Sequence, residues 1–158
     1  MLRKARSTDA RSISALLRLA FQEFEPLYTP EAFLATVQPE SGILKRMEEG
    51  PVWVAEDAGG IIGTVSAVRA ESAIMIRGMA VDPRARGLKI GKAFLDLTET
   101  FAHEAGLDRM SLYTTGFLLS AIRLYQSSGF AFTGRNVSPH GTELLQMMKI
   151  LDGVDRRA

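Results

Sequence analysis

Residues 79–95, MAVDPRARGLKIGKAFL, decide how the rest of the chain is read. An apolar run stops at Asp82-Pro83. Basic residues then alternate with Gly87 and Gly91, and a helical spacing of apolar residues begins at Ile90. A helix starting near Lys89 or Ile90 leaves its first N–H groups without intrahelical partners, and the helix dipole adds partial positive charge there. Glycine lets the backbone come close to a bulky ligand, and Arg84, Arg86, Lys89 and Lys92 ring the turn with charge. Such a strand–loop–helix junction suits a diphosphate. A solvated loop ahead of a capped helix is the plainer reading of the same residues, because short glycine motifs recur by chance.

Outward from this stretch, SAIMIRGMAV (72–81) reads as a strand that is apolar on both faces except at Arg77, hence central, with Gly78 marking a bulge or close backbone approach. Ile90, Phe94, Leu97 and Phe101 describe a helix closed near Gly106, and DRMSLYTT (108–115) is the next strand. Strand, helix, strand implies a parallel pair with a right-handed crossover. Upstream, LRKA (2–5) reads as a short strand. Ile13, Leu16, Leu17, Ala20, Phe21 and Phe24 form one helical stripe that Pro26 ends, with Ser7, Thr8 or Asp9 as N-cap. PEAFLATV and SGILKRMEE read as one or two short helices. GPVWVAED and GGIIGTVSAV read as a hairpin about DAGG. Downstream come a short helix stopped by glycine (LLSAIRLYQSSGF, 118–130) and two final strands about SPHG. The expected architecture is α/β: a mixed sheet of about seven strands flanked by about four helices, in one domain over 1–152, with 153–158 as a flexible tail.

Nineteen basic and eighteen acidic residues give a net charge of +1. That is too balanced for a chain whose main partner is nucleic acid or an anionic membrane. There is no cysteine, which removes disulfides, thiolate metal sites and cysteine nucleophiles, and the two histidines, His103 and His140, stand far apart, so no metal site is expected. No apolar run approaches the ~18 residues of a membrane span. MLRKARSTDA has no signal-peptide middle, and a cytoplasmic location is expected.

Two phosphate motifs can be set aside on spacing. GLKIGKA has three residues between its glycines where a P-loop has four, with Ala93 in the hydroxyl's place, and no Gly-x-Gly-x-x-Gly follows a first strand. What the stretch resembles is motif A of the GNAT superfamily of acetyl-CoA-dependent N-acetyltransferases, Gln/Arg-x-x-Gly-x-Gly/Ala after a strand ending in Val-Asp-Pro. Val81, Asp82, Pro83, Arg86 and Gly91 match, and Lys89 replaces the middle glycine. LLSAIRLYQSSGF is similar to the family's motif B, Asn-x-x-Ala-x-x-Leu-Tyr-x-x-x-Gly-Phe, with Ala121, Leu124, Tyr125, Gly129 and Phe130 in place and Leu118 at the asparagine. VWVAEDAGGIIGTVSAV looks like the family's strand–turn–strand with Gly63. The resemblance spans nearly the whole chain.

The resemblance implies a GNAT-like fold and acetyl-CoA as co-substrate, with an amine attacking the thioester directly while both are bound. It implies that the strand at Met79, Ala80 and Val81 splays from its parallel neighbour to receive the pantetheine arm. The diphosphate would lie on the amides of Arg86, Gly87, Leu88, Lys89, Ile90, Gly91 and Lys92, and an N–H near Met79 would meet the developing oxyanion. Tyr125 is the implied proton donor to the leaving thiolate, against a plainer role anchoring helix to sheet. No base is visible: the glutamate that family members often carry falls on Met75. Glu71, Glu23, Glu25 and His140 are candidates, each more simply a surface residue, and water is the remaining carrier. Tyr28 and Arg77 are candidates for the acceptor pocket, Arg77 either for an acceptor carboxylate or for a structural ion pair. The acceptor is a small-molecule amine or a protein amine. A non-catalytic acyl-CoA-binding domain of the same fold is the alternative. A nucleic-acid-binding role for RARGLKIGK is disfavoured by the charge. Apolar residues of PEAFLATV or the last strands suit either a homodimer or the monomer's own core.

Overall fold

Ile13, Leu16, Leu17 and Ala20 are buried along one stripe of helix α1 (Ala10–Phe21), as their spacing demands. The computed structural model describes residues 1–151, so the tail read as flexible lies outside the described residues. The α-helical geometry stops at Phe21 rather than at the proline. A 3-10 segment over Gln22–Leu27 follows and contains Pro26. Asp9 takes part in the N-terminal turn by accepting from the Arg6 N–H at 2.7 Å. It also pairs with Arg3, which holds its carboxyl below the usual range.

The segment read as one or two helices is two: α2 (Pro30–Thr36) and α3 (Glu40–Glu49). Pro39 caps α3, and the residue before a proline is pushed out of helical geometry, so one continuous helix cannot form. With α4 (Ile90–Glu104) and α5 (Leu119–Ser127) the described chain has five α-helices, one more than expected.

The strands are β1 (Leu2–Lys4), β2 (Val52–Asp57), β3 (Gly60–Ala70), β4 (Ala73–Val81), β5 (Arg109–Thr114), β6 (Ala131–Val137) and β7 (Leu144–Ile150). They form one sheet in the order β1-β2-β3-β4-β5-β7-β6, antiparallel except for the parallel β4–β5 pair joined through α4. Alternate residues serve two cores. Ile13, Leu17, Phe33, Ile43, Val52 and Val54 form one with α1, α2 and α3. Phe94, Leu95, Ile74, Met110, Leu112 and Met147 form the other with α4 and α5. Gly63 permits the second contact, since a Cβ there would lie 3.0 Å from both Ile90 and Phe94 side chains. Among the described residues no helix is long and apolar enough to cross a membrane.

Candidate active site

The β4–β5 ladder ends at Ile76↔Leu112, although β4 runs to Val81 and β5 to Thr114. The cause lies in β4. Gly78 has φ +63, a region glycine enters at little cost, and the β3–β4 register shifts between Thr64 and Ser66 at the same level. A bulge bends and twists its strand, so β4 turns away from β5 and Met79 has a partner in neither ladder. Ser66 Oγ donates to the Arg77 carbonyl at 2.9 Å and fixes the irregularity. A cavity of about 1120 Å³ occupies the gap.

One mouth of the cavity is the basic glycine loop. Asp82 is buried and caps the 3-10 turn Pro83–Ala85. It accepts from the Arg84 N–H at 2.9 Å and pairs with its guanidinium, which holds the carboxyl below the usual range. The first helical bond of α4 is Ala93 N–H to the Lys89 carbonyl. Among the described residues, the amides of Gly87, Lys89, Ile90, Gly91 and Lys92 donate to no backbone or side-chain acceptor. Free donors in the loop and at the N-terminus of the helix that follows suit an anion. Lys89 adopts the left-handed conformation at φ 60 and ψ 29. The lysine thus keeps a glycine-like backbone where the resemblance expects glycine. Gly91 serves packing instead. A Cβ there would stand 2.7 Å from Leu124 Cδ2, so its absence lets the start of α4 lie against α5.

Lys89→Gly is expected to leave Tm within about 4 °C of the parent. Relief of left-handed strain, ~1–2 kcal/mol, is offset by the greater freedom of glycine in the unfolded chain, ~0.5–1 kcal/mol. Calorimetric melting checks this. A larger fall would mean that the ammonium, not the backbone, holds the loop.

The far wall carries Tyr125. The end of α5 explains its placement. Phe130 N–H donates to the Tyr125 carbonyl and Gly129 N–H to the Gln126 carbonyl, with Gly129 at φ +99. This is a Schellman closure, which brings the residue three from the helix end against the one two beyond it. The rings of Tyr125 and Phe130 are accordingly 5.9 Å apart. The sequence LYQSSGF therefore encodes a helix stop that clamps one tyrosine. Burial, with Tyr28 nearby, pushes its hydroxyl up to about 12.

Of the residues singled out by sequence, Met79, Ala80, Val81, Arg86, Gly87, Lys89, Ile90, Gly91, Lys92, Tyr125, Tyr28, Arg77 and His140 line this one cavity. Leu88 and Glu25 do not. Leu88 projects outward, 67% exposed, and Glu25 lies on the exposed side of the 3-10 segment. Glu71 sits exposed in the β3–β4 turn near Arg135 and is also outside the cavity. Glu23 lines it and pairs with Arg86 at 3.0 Å. Tyr28 is buried edge-on against Phe117. Thr29 ties its loop to the β6–β7 turn, its N–H donating to Thr142 Oγ1 at 2.9 Å and its hydroxyl to the His140 carbonyl at 2.5 Å. Arg77 resolves into an ion pair with Glu49 at 2.9 Å. Sequence reading missed Arg46, which lies three residues from buried Ile43 in α3 and lines the cavity beside Gly78. That helical spacing was the available signal. It also missed Thr115, a buried wall residue whose hydroxyl lies beside that of Tyr28.

A mixed sheet with one splayed parallel pair opens onto a loop of unpaired helix-terminus amides, a shape able to take an extended ligand with an anionic end. The model of the acetyltransferase (GNAT) family matches residues 12–130, and the chain belongs to that family. N-acetyltransferase 8B of Homo sapiens is 36% identical over 90 residues, 53% of this chain and 40% of its own. The chain thus spans about two fifths of the length of the first curated relatives it matches. The PaiA N-acetyltransferase of Thermoplasma acidophilum, solved in complex with coenzyme A, superimposes with a TM-score of 0.78 at 16% identity, over 95% of this chain and 98% of its own. The ribosomal-protein-alanine N-acetyltransferase of Brucella melitensis does so with a TM-score of 0.76 at 23% identity, over 96% and 99%. These two likenesses establish the fold.

Proposed function

We propose that this chain transfers the acetyl group of acetyl-CoA to a primary amine, with both substrates bound together. The observation that carries the reading is the row of unpaired amides, Gly87 and Lys89 to Lys92, at the mouth of a cavity that runs along the splayed strands. Those donors and the side chains of Arg86 and Lys89 fit a diphosphate, and the unpaired edges of β4 and β5 fit an amide-bearing arm. Acetyl-CoA bound there supplies an activated thioester carbonyl and a thiol leaving group.

The protein's part is position and charge. The Met79 N–H, outside both ladders, serves the carbonyl oxygen as negative charge gathers on it. Tyr125 gives its proton to the departing sulfur. Thiols and phenols have ordinary pKa values of roughly 8.5 and 10. Burial disfavours both anions in the same cavity, so the small gap between them governs the transfer. The amine must be neutral to attack. Glu23 is the one carboxylate on the wall among the described residues, and it is held by Arg86, so a chain of water carries the amine's proton out past it.

A pH dependence follows. Tyr125 must be protonated to act, and its hydroxyl is pushed up to about 12. Activity is therefore expected to rise as the amine deprotonates and to show no falling limb from Tyr125 below about pH 10. Rates measured across that range check it. A fall below about pH 10 that disappears in Tyr125→Phe would keep Tyr125 as the acid and contradict its raised pKa. The test of the function itself is release of free CoA thiol that depends on an added amine. With no cysteine in the chain, a thiol reagent sees CoA alone. Binding of acetyl-CoA with no turnover on any amine would favour the acyl-CoA-binding alternative.

A further inference from the structure

The cavity wall carries Arg46, Arg77, Arg86, Lys89 and Lys92 but, among the described residues, a single acid, Glu23. The anion cradle accounts for Arg86, Lys89 and Lys92. Arg46 and Arg77 lie at the other end, by the Gly78 bulge, and the cradle leaves them unexplained.

Arg46 reaches this place because Gly78 has no side chain: a Cβ there would collide with Arg46 Nη1. Arg46 is partly buried and makes no hydrogen bond or ion pair within the described chain. Its neighbours by charge are Arg77, which repels it, and Glu49, which attracts it. Burial, the larger effect, together with Arg77 lowers its pKa to about 10. Glu49 is already bound to Arg77 Nη2 at 2.9 Å, and Arg77 Nε is buried with no acceptor. Two guanidiniums thus stand near one carboxylate, and only Arg77 is paired with it. Keeping a desolvated cation unpaired is costly, and its planar fork matches a carboxylate.

We propose that Arg46, set against the Gly78 bulge beside Arg77, binds the carboxylate of the acceptor, which is therefore a compact amino acid whose carboxylate is free. This rests on the cavity being the acetyl-transfer site. Gly78 adjoins Met79, which faces the reacting carbonyl, so an anion held at Arg46 lies close to the attacking nitrogen. An amino acid places amine and carboxylate at that short separation. A polyamine has no carboxylate, and a peptide N-terminus has its own carboxyl blocked as an amide. The surplus of cations also repels acceptors that carry only positive charge, whereas an amino acid arrives with no net charge.

The test uses the full chain saturated with acetyl-CoA and the proteinogenic amino acids, each beside its C-terminal amide, with CoA release as readout. The free acids are expected to show kcat/KM at least about tenfold above their amides. Arg46→Met should raise KM for the best acid by about 10- to 100-fold and collapse the acid-to-amide ratio, while the Kd for acetyl-CoA stays within about twofold. Arg46→Lys, which keeps the charge, should recover part of the loss. Calorimetry gives a second readout: the matching N-acetyl amino acid should bind the CoA-loaded parent and lose that affinity in Arg46→Met. Amides or acidic peptides used as well as free acids, transfer to no amino acid despite acetyl-CoA binding, or an unchanged KM in Arg46→Met would each overturn the proposal. Failure to bind acetyl-CoA would instead overturn the reading of the cavity beneath it.

Discussion

Tyr125→Phe should lower kcat by about 10²- to 10³-fold, the scale of a lost general acid, while acetyl-CoA affinity and Tm stay close to the parent. Two observations separate these effects. The ring is held by the Schellman closure and by Phe130, and phenylalanine keeps both contacts. The hydroxyl makes no hydrogen bond within the described chain, so its removal leaves no orphaned partner. Steady-state kinetics, an acetyl-CoA titration and a melting curve together check the prediction. Equal losses in kcat and affinity would make Tyr125 a packing residue, and an unchanged kcat would remove it from the chemistry.

Gly91→Glu should weaken acetyl-CoA binding by at least about a hundredfold, since it sets a carboxylate among the amide donors proposed for the diphosphate and would cost at least two charge-assisted bonds. Gly91→Ala is the control, because any side chain at this position must displace Leu124, whose Cδ2 would lie 2.7 Å from the new Cβ. That atom ends a flexible side chain, so the fold should survive in both variants. Alanine is expected to keep most of the affinity. Equal loss in both would assign the effect to the α4–α5 contact. Undiminished binding in the glutamate variant would take the diphosphate off this loop.

Much of the fold is legible in the sequence because it rests on local rules. Apolar spacing locates α1 and α4, and the crossover rule makes β4 and β5 parallel neighbours. Gly78 inside a strand announces the bulge that opens the sheet. Lys89 departs from the family pattern by residue type. The structure shows that it keeps the left-handed turn, a matter of backbone angle that residue identity does not reveal. Other features depend on where side chains point after packing. Leu88 shares the loop with its cavity-facing neighbours yet projects outward, and Glu25 lies two residues from Glu23 on the wrong side of its turn. In the sequence, Arg46 is one more charge on a short amphipathic helix. Its meaning comes from Gly78, thirty-two positions away, whose bare backbone makes room for it.

The most direct test is calorimetric titration of the full chain with acetyl-CoA, CoA and ADP. Both CoA species are expected to bind with Kd on the order of 1–100 µM, and ADP more weakly, because it reaches the amide cradle but has no arm to lie between β4 and β5. No heat from any of the three, or ADP binding as tightly as CoA, would contradict a cavity built for an acyl-CoA.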